Sequence, residues 1–101
     1  MSNEKTENME AERISRLMVK LNRALVDVVK DDNIRREISF NLSDIREEAA
    51  RINHIFEEVE VHESITDSQF EDLIYILCTH WSYHIEELKA LILQLENDSQ
   101  L

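Results

Sequence analysis

Apolar residues recur along this chain at alternating intervals of four and three, the spacing of a heptad seam on an α-helix. The first run extends from about Thr6 to Lys30, with Ile14, Met18, Leu21, Leu25 and Val28 in the seam. Leu17, Ala24, Val26 and Val29 widen it, while Arg16, Lys20, Arg23, Asp27 and Lys30 occupy the opposite side. Asp31, Asp32 and Asn33 interrupt the pattern, and one of them is expected to cap the next helix. The second run goes from about Asn33 to Val61 through Ile38, Leu42, Ile45, Ala49, Ile52, Phe56 and Val59. His62, Glu63, Ser64 and Ile65 then form a turn. Thr66 with Gln69 three residues later matches a capping box, and Asp67 suits the positive end of a helix dipole. The third run reaches about Glu96, with Phe70, Ile74, Leu77, Trp81, His84, Leu88, Leu91 and Leu95 in its seam.

Connections this short make neighbouring helices antiparallel. The expected fold is all-α: an up-down-up three-helix antiparallel bundle with long helices and coiled-coil-like seams. It forms one domain over residues 1–101, with residues 1–6 and 97–101 expected to fray. Tight turns fix the register. Leu25, Ile38 and Leu91 share a layer, followed by Leu21, Leu42 and Leu88, then Met18, Ile45 and His84, then Ile14, Ala49 and Trp81. The smallest seam residue of the second helix thus lies opposite the largest of the third, as close packing requires.

Composition sharpens this picture. The chain has no glycine and no proline, where an average chain of this length carries roughly 7 and 5. Few tight turns are therefore available, which favours long helices. The single cysteine, Cys78, forms no intramolecular disulfide and fits a reducing compartment. No apolar run approaches the roughly 18 residues of a membrane span, and the polar N-terminal segment lacks the apolar stretch of a secretory signal. A cytoplasmic protein is expected.

The formal net charge of −11 is unevenly spread. Residues 1–51 carry 11 acids against 10 bases, whereas residues 52–101 carry 11 acids against the single base Lys89. Direct nucleic-acid binding through the second half is disfavoured because phosphate binding needs cations. A basic protein surface is the favoured partner.

The seams also end unequally. Beyond the Ile14 layer the first helix offers only Ala11 and Met9, while the second hairpin continues with Ile52, Leu77, Phe56, Ile74, Val59 and Phe70. The hairpin tip therefore carries surplus apolar surface, the mark of an interface. Glu57, Glu58, Glu60, Glu63, Asp67, Glu71 and Asp72 surround it with no base among them. Phe56, Val59, Phe70 and Ile74 with these seven acids form the candidate partner-binding site, an apolar centre with a charged rim.

Catalytic chemistry finds little support. Cys78, Thr79 and His80 are adjacent, and adjacent helical residues point apart. Without glycine there is no phosphate-cradling loop. His80 and His84 stand four apart and could share a metal, yet a zinc site needs further ligands, and Asp44 is the only seam-adjacent acid the layers bring near. The favoured reading of His84 is a buried, hydrogen-bonded core residue that fixes register. The His54, Glu58, His62 row is expected to be exposed, and no helix carries the Glu-x-x-His pair of a di-iron bundle. The basic stripe Arg13, Arg16, Lys20, Arg23 and Lys30 is expected to pair with acids of neighbouring helices.

The sequence thus reads as a non-enzymatic acidic binding protein, an inhibitor or adaptor that engages a basic protein surface. It would occupy a nucleic-acid-binding face by charge mimicry, with no cofactor, no metal and no membrane. The alternative is a self-associating structural subunit, such as a homodimer, or the bundle partner of another helical protein. A metal-binding bundle built on His80 and His84 ranks behind both.

Overall fold

A computed structural model describes residues 2–97, with side chains from Met9 onward except Glu10. The expected fraying of residues 98–101 lies outside the described residues. Three helical rods fold antiparallel into a bundle 49 × 27 × 20 Å. Helix α1 spans Ser2–Ala24 and α2 spans Asp32–His62. The third rod is α3 (Asp67–Tyr75), a π-helical turn (Ile76–Trp81) and α4 (Ser82–Asn97). Helix α1 thus begins ahead of the expected Thr6.

The first connection opens earlier than the heptad pattern implies. Helix α1 stops at Ala24, and residues 25–31 leave the helix. Val28, expected in the seam, is 53% exposed, while Val29 turns inward at 3%. Arg35 ties this segment to α1 and α2. Its buried guanidinium donates to the Val29 carbonyl, a backbone group outside the helices, at 2.9 Å and to the Asn22 side-chain oxygen Oδ1 at 3.2 Å. Asp31 caps α2 by accepting from the Ile34 N–H at 3.0 Å, as one of the three polar residues was expected to do.

The second connection follows the sequence closely. Thr66 and Gln69 form the reciprocal capping box, each bond 3.0 Å. Helix α2 ends on Glu63, whose φ of 53° is left-handed, a conformation usually given to glycine.

The predicted register holds at the closed end of the bundle. Val29, Ile34, Ile38, Leu91 and Leu95 form the core, with Leu25, Leu42 and Leu88 packed on it. Toward the tip, the π turn changes the face that α3 presents. A π turn holds an extra residue, so the contact face upstream is displaced from a strict heptad. Ile76 is 1% exposed, and Gln69 and Leu73 are half-buried. Phe70, Ile74 and Leu77, the residues expected in the seam, are exposed instead. Trp81 and Ala49, expected to pack tightly against each other, are both half-buried.

Between the closed end and Ile52, Ile55 and Ile76 lies a polar layer. Asn41, Glu48 and His84 are buried there, and Asp44 is half-buried.

Candidate functional site

The hairpin tip is built by α2 after Ile52 and by α3. Ile55 is buried, and Phe56, the next residue, is 50% exposed. Phe70 and Ile74 likewise follow Gln69 and Leu73, which are half-buried. In an antiparallel helix pair, positions that follow the contact residues turn to the same side. Phe56, Phe70 and Ile74 therefore share one face of the hairpin. Helix α1 takes the other side, where Arg13, Ala50, His54, Gln69 and Asp72 line one groove and Arg13 pairs with Glu47.

Not every residue of the sequence-derived site belongs to this face. Val59 is half-buried. Glu58 lies between His54 and His62, at 3.7 and 3.1 Å from their ring nitrogens. Asp72 lines the groove on the α1 side. Glu57, Glu60, Glu63, Asp67 and Glu71 are exposed, and among the described residues none of them has a basic partner. The apolar face is also longer than the sequence implied. It runs from Phe70, Ile74 and Leu77 through half-buried Trp81 to Ile85 and Ile92, all but Trp81 exposed. Ile85, Leu88, Ile92 and Leu93 line a shallow apolar concavity along α4. A stripe from Phe70 to Ile92 is about 33 Å long at about 1.5 Å per residue.

The basic stripe corrects an expectation. Arg13 pairs with Glu47 as foreseen. Arg16, Lys20, Arg23 and Lys30 are exposed, and their side chains make no ion pair among the described residues. Arg16, Lys20 and Arg23 point into solvent because α1 turns its other side to α2, and Lys30 is exposed in the connection that follows. Arg16, Lys20 and Arg23 stand at helical spacing on one side of α1.

A second cluster lies in the polar layer. His84 is buried, as the sequence reading favoured, with Nδ1 2.6 Å from Asn41 Oδ1 and Nε2 2.5 Å from Asp44 Oδ2. Glu48, which the sequence reading missed, is buried beside them, and its Oε2 binds His80 Nδ1. The signal was present in the spacing. Asp44 and Glu48 are four apart on α2, and the same antiparallel register sets them against His84 and His80. Cys78 is exposed and takes no part. No described helix is long and apolar enough to cross a membrane.

Comparison with protein-family models, curated proteins and solved structures finds no match to this chain.

Proposed function

We propose that the protein is a non-enzymatic helical binding protein, an inhibitor or adaptor, that receives a basic protein surface on the tip of its second hairpin. One observation carries this reading. Phe56, Phe70 and Ile74 form an exposed apolar face, and Glu57, Glu60, Glu63, Asp67 and Glu71 around it have no basic partner among the described residues. Apolar contact supplies binding energy at such a centre, and unpaired rim charges supply selection and rapid encounter. Carboxylates fixed along two helices also resemble a row of phosphates, so a nucleic-acid-binding face is the target this charge pattern suits. The expected compartment is the cytoplasm.

The test is capture of host proteins by the chain and by the variant Glu57→Gln, Glu60→Gln, Glu71→Gln and Glu63→Gln combined. Capture of a basic partner should weaken at least tenfold in the variant, and the remaining binding should lose most of its salt sensitivity. Equal capture by both proteins refutes the electrostatic reading.

Self-association is the second reading, favoured by the solvent-facing Arg16, Lys20 and Arg23. In a second copy this side of α1 offers the basic surface that the acidic tip lacks. Light scattering across salt concentrations separates the readings, because a monomer at low salt leaves only a foreign partner.

A further inference from the structure

The polar layer contains a charge arrangement that its own hydrogen bonds do not complete. Asp44 and Glu48 stand one helical turn apart on α2, and His84 reaches them from α4. His84 Nε2 is 2.5 Å from Asp44 Oδ2 and 4.0 Å from Glu48 Oε1. The Glu48 side chain is only 5% exposed, yet Oε1 has no hydrogen-bond partner among the described residues. A buried carboxylate oxygen in that condition is costly. One donor atom from each of the three residues lies within 4.8 Å of the others.

Neighbouring groups fix which nitrogen of His84 faces the carboxylates. Asn41 Nδ2 donates to the Glu37 carbonyl at 2.8 Å, which turns Oδ1 toward His84 Nδ1. An amide oxygen only accepts, so Nδ1 carries the hydrogen. A neutral ring then presents its lone pair at Nε2 to a carboxylate oxygen, and two acceptors face each other. A proton on Nε2 resolves that contact, and so does a metal cation. Only the cation also engages Glu48 Oε1, which at 4.0 Å from Nε2 is beyond hydrogen-bond reach.

We infer that Asp44 Oδ2, Glu48 Oε1 and His84 Nε2 form a binding site for one divalent first-row cation such as zinc. Two carboxylates balance its charge, and the imidazole favours it over calcium or magnesium, which take oxygen donors. Zinc holds nitrogen and oxygen donors at about 2.0–2.2 Å, which places tetrahedral donors about 3.4 Å apart. Reaching that arrangement opens the Asp44–His84 contact by about 0.9 Å and draws Glu48 Oε1 toward Nε2 by about 0.6 Å. Asp44, with its side chain 30% exposed, has room to swing and leaves a path for entry. Its open side also gives water the fourth coordination position.

The surroundings hold the donors as metal ligands are commonly held. Asn41 orients His84 through Nδ1, and His80 orients Glu48 through Oε2. His80 sits in the π turn Ile76–Trp81. Such turns are rare and recur at functional sites. His80 and His84, four residues apart, lie together on the α2 side.

The experiment titrates the full chain, free of any histidine tag and stripped with chelator, with zinc ions against a chromophoric competitor. One zinc per chain should bind with a submicromolar Kd. Asp44→Asn and Glu48→Gln should each weaken binding at least 100-fold, and His80→Ala, which removes a positioning residue, about tenfold. His54→Ala combined with His62→Ala should change nothing. Circular dichroism identifies any variant that fails to fold, and Asp44→Asn, at the half-exposed position, decides the matter if Glu48→Gln does. Cobalt in place of zinc should give the intense visible bands of a tetrahedral site. The inference is overturned if the folded chain binds no zinc at about 10 μM, well above the affinities of protein zinc sites. Binding that survives Asp44→Asn, or that is lost with His54 and His62, overturns it equally.

Discussion

Replacing Arg35 with methionine tests what holds the first connection in place. The Arg35 side chain is 10% exposed, and the substitution keeps most of its apolar stem while removing the guanidinium. The bond to the Val29 carbonyl, 2.9 Å and buried, is charge-assisted and contributes about 1.5–3 kcal/mol. The bond to Asn22 Oδ1 at 3.2 Å adds about 1 kcal/mol. The Asp32 pair adds little, because that carboxylate is 74% exposed and solvent screens it. Relief of the buried charge offsets part of the loss. The net cost is about 3 kcal/mol. Urea unfolding followed by far-UV circular dichroism measures it. With m near 1.5 kcal/mol/M, the midpoint should fall by about 2 M. Arg35→Lys should fall between, since an ammonium reaches fewer of these partners. A midpoint shift below about 0.3 M with m unchanged refutes the assignment, because the route from Ala24 to Asp31 would then owe nothing to Arg35.

Glu63→Gly should stabilise the chain by about 1 kcal/mol, because glycine adopts the left-handed C-cap without the penalty a side chain incurs. Thermal unfolding reads this as a Tm increase of about 4–8 °C, and a decrease would show that the cap is not the constraint. Phe56→Ala and Phe70→Ala should each cost less than about 1.5 kcal/mol in folding, well under the roughly 3–5 kcal/mol of a buried phenylalanine, since both rings are half exposed. The same variants should abolish partner capture or assembly at concentrations where the wild type associates. A large folding loss with association intact reverses the reading of that face.

Much of the fold was legible because its signals are local. The Thr66–Gln69 capping box and the Asp31 cap depend on residues three apart. The closed-end layers depend on one antiparallel register, which sets Ile38 near Leu91. The early end of α1 was not legible, because it depends on Arg35 reaching back across the turn to Val29 and Asn22. Apolar spacing continues through Val28 as though the helix did, and periodicity carries no record of a side chain that takes over backbone carbonyls.

The tip was misread for one physical reason, a change of winding in the third rod. A heptad read backward from Leu95, Leu91, Leu88 and His84 passes through Trp81, Leu77, Ile74 and Phe70 without a break. The π turn inserts its extra residue within that run, so Ile76 enters the core and the upstream apolar set turns outward. The polar layer keeps the register that the spacing implies, with His84 opposite Asp44 and His80 opposite Glu48. Had the rod stayed α-helical, Phe70 and Ile74 would pack inward. The exposed apolar tip is therefore the consequence of one change in helical winding, whereas the buried histidine–carboxylate layer follows from the register on which the heptad spacing already depends.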